Sequence, residues 1–164
     1  MNTVPGLALV LLAAAVVAGC AGFSDIAPGT PAREVEMRMG APESVWKNAD
    51  GSEVWEYPQG PLGTRTYMVA LGPDRAVREV RQVLDEETIS KLRVGMSRDE
   101  VRRLVGKPRD VGYSGRTDEE IWSWVYREWK VRKMELHVQF DRPSGTVKGI
   151  SRFQVDPGGD HRRD

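Results

Sequence analysis

The chain is poor in the residues that carry most enzyme chemistry. Its 164 residues hold one cysteine, Cys20, and two histidines, His137 and His161. A single thiol excludes an internal disulfide and any cysteine cluster for a metal. His137 falls on the polar side of a strand pattern, and His161 lies in a run of charged residues and glycine at the end of the chain, so neither has a partner for acid–base or nucleophilic work. Glu119-Glu120 is an acidic pair among polar residues with no apolar pocket around it to raise a pKa. No glycine-rich phosphate loop occurs: Gly60-Pro-Leu-Gly63 reads as a hairpin connection and Gly158-Gly159 as tail. Net charge is also absent, with 24 basic against 24 acidic side chains, which argues against a general nucleic-acid binder. These absences set aside catalytic, metal and cofactor sites.

The N-terminus has what the rest lacks, a hydrophobic run. Leu7–Val17 is continuously apolar and no charged side chain precedes it. It is too short for a stable membrane span and suits the core of a signal peptide. Val17-Ala18-Gly19-Cys20 follows, and small residues leading into a cysteine resemble the lipobox of bacterial lipoproteins. That resemblance implies cleavage before Cys20, a covalent lipid on its thiol and, with Ala21 next, sorting to the outer membrane. No other cofactor is expected.

The body of the chain contains one phrase twice. Gly29-x4-Glu34-Val35-x4-Gly40-x-Pro42 returns 66 residues later as Gly95-x4-Glu100-Val101-x4-Gly106-x-Pro108. Self-similarity at a fixed spacing marks tandem units. The phrase reads as helix punctuation. Thr30, with Pro31 at the first helical position, and the capping box Ser97-Arg-Asp-Glu100 start the helices. Val101, Leu104 and Val105 form one apolar stripe, and Val35 with Met39 a weaker one. Gly40 and Gly106 stop the helices, and the prolines prevent their continuation. Asp85–Leu92 reads as another short helix, acidic first and basic last.

Strands follow each Gly-x-Pro. In the second copy Lys133–Phe140 alternates strictly, with Met134, Leu136, Val138 and Phe140 on one side. Glu120–Arg127 precedes it and Thr146–Val155 closes the set. The first copy repeats the order at Ser44–Lys47, Glu53–Tyr57, Arg65–Leu71 and Ala76–Val83. Val54-Trp55-Glu56-Tyr57 matches Ser123-Trp124-Val125-Tyr126. The expected architecture is α+β: two tandem helix–helix–antiparallel-sheet units, each with short helices over one face of a three- to four-stranded meander. The expected boundaries are 1–19 signal peptide, 20–27 lipidated tether, 28–84 first unit, 85–156 second unit and 157–164 disordered tail. Units this small bury little core alone, so the copies are expected to pack together or share a sheet edge.

The copies differ in charge. Residues 28–84 hold 7 basic and 8 acidic side chains, and residues 88–156 hold 15 and 10, a net of +5. The excess coincides with the aromatics Trp122, Trp124, Tyr126 and Trp129, interleaved with Arg127, Lys130, Arg132 and Lys133. Trp122, Trp124 and Tyr126 alternate and share one strand face, either core or contact surface. Trp129, among charges at a hairpin tip, is the best single candidate for an exposed anchor. Tryptophan and arginine are the types enriched at binding hot spots, and they also suit a lipid interface. The candidate interaction residues are therefore Trp129, Trp122, Trp124, Tyr126, Arg127, Lys130 and Arg132.

Gly95–Pro108, the Trp124-Val-Tyr126 segment and the alternating strand pair after it, behind a lipobox, resemble the SmpA/OmlA (BamE-like) family of outer-membrane lipoproteins. The tandem arrangement resembles the β-lactamase inhibitor protein, whose paired sheets form a concave binding surface. The first resemblance implies a non-enzymatic scaffold for outer-membrane protein assembly. Such a scaffold is held at the periplasmic face by its lipid in the inner leaflet, with an envelope protein as partner, the β-barrel assembly machinery among the candidates. The second implies a periplasmic binding or inhibitory protein that uses the concave face.

Overall fold

A computed structural model describes residues 22–60 and 63–155. The expected signal peptide, Cys20 and the tail 157–164 lie outside the described residues.

Helix α1 (Ala32–Met39) precedes strands β1 (Ser44–Lys47), β2 (Glu53–Pro58), β3 (Thr66–Leu71) and β4 (Val77–Gln82). Helices α2 (Glu86–Ile89) and α3 (Arg98–Val105) precede β5 (Asp110–Ser114), β6 (Glu119–Glu128), β7 (Arg132–Asp141) and β8 (Val147–Gln154). Each set of four strands is an antiparallel sheet in chain order. The opening glycines of the repeated phrase have the same task in both halves. Gly29 N–H donates to Val77 O (2.7 Å) and Val77 N–H to Thr30 O (2.8 Å); Gly95 N–H donates to Val147 O (2.8 Å) and Val147 N–H to Met96 O (2.7 Å). The segment before the helix is thereby stitched to the last strand of its own meander.

The helix ends follow local chemistry, with two corrections. Ser97 caps α3, accepting from Glu100 N–H (3.3 Å) while the Glu100 carboxylate takes Ser97 N–H (2.7 Å). Thr30 does not cap α1. Pro31 is the N-cap without a side-chain bond, because the Thr30 backbone is held by β4. The helix expected over Asp85–Leu92 shortens to the single turn of α2, with Asp85 accepting from Thr88 N–H (2.8 Å). Its place in the first half is taken by a 3₁₀ turn, Phe23–Asp25, whose Phe23 stacks on Tyr67 at 4.2 Å and is followed by buried Ile26.

Each helix covers one side of its sheet. Val35, Trp55, Val69, Leu71 and Val77 make one core, and Val101, Val105, Trp124, Tyr126, Leu136, Val138 and Phe140 the other. Trp55 and Trp124, and Tyr57 and Tyr126, occupy matching places, as the paired tetrapeptides require. Arg98 fastens α3 to its sheet through Glu120 (3.0 and 2.6 Å).

The other side of the first sheet is covered by the second half. Alternation turns Glu56 away from Trp55 and Tyr57, yet Glu56 is completely buried. Its carboxylate accepts from Lys107 N–H and from Arg102 (3.2 Å), which also donates to Ser44 (2.7 Å). Arg103 lies over the Trp46 ring at 5.7 Å, and Lys107 pairs with Glu43. The charged stripe of α3 thus packs on the first sheet, while its apolar stripe packs on the second.

Gly106 sits at this junction. Both Gly40 (φ 82°, ψ −175°) and Gly106 (φ 84°, ψ −173°) adopt backbone angles open almost only to glycine. A Cβ at Gly40 would meet nothing within 4 Å, whereas one at Gly106 would lie 2.6 Å from Thr66 Cγ2 and 3.0 Å from Glu56 Oε1. Gly40→Ala is expected to cost about 1–3 kcal/mol from backbone strain alone. Gly106→Ala adds a further cost of about 1–3 kcal/mol for overpacking. Urea unfolding of the two variants measures the difference, and equal losses would contradict this packing.

Candidate functional site

Strands β6 and β7 have ten residues each, against six in β2 and β3, so their hairpin reaches past the end of β5. Its tip is Trp129-Lys130-Val131. Trp129 (φ 49°) and Lys130 (φ 61°) both have positive φ, and Val131 N–H donates to Glu128 O (3.0 Å), the signature of a type I′ turn. That turn favours Asn-Gly, and each bulky residue in it costs on the order of 1–2 kcal/mol. Despite this strain, Trp129 is 77% and Val131 76% exposed. Changing Trp129→Asn and Lys130→Gly together is therefore expected to raise stability by about 1 kcal/mol or more, read from the unfolding midpoint. A loss of stability would show that the Trp129 ring is held by packing.

The tip forms one wall of a cleft of about 570 Å³. Arg127, Trp129 and Lys130 stand on that wall, Thr64 and Arg65 just before β3 with Tyr67 and Gln82 of the first sheet on another, and Asp85, Glu86 and Glu87 at the start of α2 on a third. The acids already have partners. Asp85 caps α2, Glu86 pairs with Arg152 (2.8 Å), and Glu87 with Lys91 (2.9 Å). Arg65, Arg127 and Lys130 form no ion pair among the described residues, so the uncompensated charge of the cleft is positive. Beneath it Tyr126 is buried, and its hydroxyl and Glu86 Oε1 each lack a well-formed hydrogen-bond partner. Burial first, and the neighbouring Glu86 carboxylate second, push the Tyr126 phenol far above its usual pKa and keep it neutral.

The seven interaction candidates separate by face. Arg127, Trp129 and Lys130 meet at the cleft. Arg132 opens β7 and is tied to Glu128 (2.9 Å), away from the lining. Trp122, Trp124 and Tyr126 are 9%, 1% and 0% exposed, which corrects their reading as contact residues: α3 lies over that side of β6, and they are core. The opposite side is covered as well near Val125, which shares a narrow cavity of about 30 Å³ with Pro58, Gly60, Gly63 and Arg65 of the first half. The sequence reading missed Arg65, Tyr67, Gln82 and Glu86. Nothing local marks them: Arg65, Tyr67 and Gln82 meet the hairpin only through the packing of the two halves, and Glu86 only through the fold of the second half. Among the described residues no group of three or more His, Cys, Asp or Glu side chains is placed to hold a metal ion, and no helix is long and apolar enough to cross a membrane.

The cleft's hairpin and α2 belong to a recognisable stretch. Residues 82–150 match the family model of the outer membrane protein assembly factor BamE domain. The match runs from the end of β4 into β8 and takes in less than half of the chain. No curated protein matches the chain. Among solved structures, an extracellular protein containing an SCP domain from Bacillus anthracis is 13% identical with a TM-score of 0.33, over 94% of this chain and 50% of that one. A candidate beta-lactamase inhibitor protein from Streptococcus mutans is 15% identical with a TM-score of 0.31, over 78% and 85% of the two chains. A DUF4309 family protein from Bacillus subtilis is 16% identical with a TM-score of 0.28, over 76% and 77%. The chain spans half the length of the first of these. Scores this low carry no argument about fold or function.

Proposed function

We propose that this chain is a non-enzymatic, lipid-anchored interaction module of the outer membrane, built from two tandem BamE-like units and acting in outer-membrane protein assembly. The observation that carries the reading is the BamE-domain match over residues 82–150. It is supported by the apolar run Leu7–Val17 before Cys20 and by the repeated helix phrase, each copy followed by a four-stranded meander. The unit boundaries proposed are 28–84 and 85–156, with Cys20 carrying the lipid. Stable anchoring follows from chain count, since one acyl chain binds a bilayer only marginally and two or more hold firmly.

The contact surface proposed is the cleft with Trp129 at its mouth. Tryptophan and arginine at a well-formed concavity are the chemistry of a protein-contact hot spot. The competing reading, a periplasmic inhibitor using one concave surface across both sheets, meets an obstacle. The outward side of the first sheet is occupied, with Glu56, Thr66 and Met68 all buried.

Membrane fractionation with affinity purification tests the proposal. The protein is expected to stay with membranes after a high-salt wash and to be released by Cys20→Ala. It is also expected to co-purify with the β-barrel assembly machinery. Retention of the Cys20→Ala variant on membranes would overturn the anchor, and recovery of one soluble periplasmic enzyme instead of the machinery would overturn the scaffold.

A further inference from the structure

The edge of β6 carries an opening that the assembly reading does not use. Strand β5 pairs with β6 only from Glu119 to Ser123, where Arg109 N–H makes the last bond to Ser123 O (2.8 Å). Strand β6 continues to Glu128. Backbone groups alternate in direction along an antiparallel strand, so Val125 and Arg127 present N–H and C=O to the same side as Ser123. Neither has a strand partner on that side among the described residues. Beside Val125 the first half leaves a cavity of only about 30 Å³, but beside Arg127 the space widens into the cleft of about 570 Å³. An unpaired edge beside room for a chain is the geometry of strand addition.

The charges select what enters. Arg65, Arg127 and Lys130 converge from opposite walls with no ion pair of their own among the described residues, while Asp85, Glu86 and Glu87 are each engaged. A flat anionic membrane surface fits poorly, because the three carboxylates on the third wall would face it. A narrow extended segment meets the cations and passes the acids. The exposed Trp129 ring, held out by a strained turn, gives it an apolar face at the mouth.

We propose that the cleft receives an extended acidic polypeptide segment of a partner protein. Its backbone pairs with the β6 edge at Arg127, and its carboxylates meet Arg65, Arg127 and Lys130. This rests on the reading of the chain as an interaction module and names the chemistry of its partner.

Full-length protein in detergent micelles is titrated with a fluorescent peptide alternating glutamate and valine, with the same peptide carrying lysine for glutamate, and with phosphatidylglycerol vesicles. The acidic peptide is expected to bind at least about tenfold more tightly than the basic one, and Arg127→Glu or Arg65→Glu to weaken it about tenfold. Trp129→Ala should weaken it with unchanged melting, and bound peptide should slow hydrogen exchange at the Arg127 amide. All three side chains are exposed, so these variants keep the fold. Equal affinity for the two peptides, no binding of the acidic one, indifference to both reversals, or binding of the vesicles alone overturns the inference. Failure of the peptide with co-purification of the assembly machinery intact removes this inference alone. Loss of the co-purification removes the module reading beneath it.

Discussion

Trp124→Ala is expected to lower stability by about 3–5 kcal/mol, the range for removing a buried tryptophan from a core. Trp124 is 1% exposed, packs edge-on against Trp122 at 6.1 Å, and donates its indole N–H to Gly106 O at 3.1 Å. The substitution therefore does two things. It opens a cavity between β6 and α3, and it frees the carbonyl at the point where α3 turns into the junction between halves. At roughly 2–4 °C per kcal/mol for a chain of this size, the melting temperature should fall by about 10 °C. Trp129→Ala is the control, since a ring that is 77% exposed contributes little to folding. Calorimetry of the two variants reads the contrast, and a loss below about 1 kcal/mol for Trp124→Ala would place its ring outside the core.

Glu56→Ala is expected to cost about 2–3 kcal/mol. Removing one member of a buried charge pair typically costs about 3–5 kcal/mol, because the partner is left unpaired. The lower figure applies because the Arg102 side chain is 32% exposed and water partly replaces the lost carboxylate. The Lys107 N–H loses its acceptor as well. Glu56→Gln keeps an acceptor for that N–H and should recover part of the loss. A double-mutant cycle with Arg102→Ala isolates the pair, with a coupling of at least about 1 kcal/mol expected. Additive effects would mean that Glu56 and Arg102 do not act together at the junction.

The parts of the fold legible in the sequence were those set by neighbours within a few residues. The Ser97–Glu100 box, the glycine stops and the alternation of Lys133–Phe140 depend on hydrogen bonds and backbone angles spanning one turn or one strand. The errors came at two helix ends. Thr30 looks like a cap until its carbonyl is claimed by Val77, and Asp85–Leu92 looks like a longer helix than the single turn that forms. For the site, Arg127, Trp129 and Lys130 stood out because a tryptophan among charges at a hairpin tip has no core to enter. Trp122, Trp124 and Tyr126 were assignable to one face of a strand, but both faces of that strand turned out to be covered near Val125.

The sequence by itself determined two helix-capped meanders, their order and the exposed tryptophan at the longer hairpin. All three follow from short-range rules of capping, alternation and turn formation. Only the tertiary structure decided which charges are spent and which are left. Arg102 and Lys107 look like any solvated pair of cations, yet the Arg102 guanidinium closes on Glu56 and the Lys107 ammonium on Glu43, 46 and 64 residues away. Arg65 reads as the first residue of a strand, yet it faces Arg127 and Lys130 across a cleft without an ion pair of its own among the described residues. The physical reason is the range of the interaction. Capping and alternation act along the chain, whereas the pairing of a buried charge depends on whatever another part of the chain brings within about 4 Å of it.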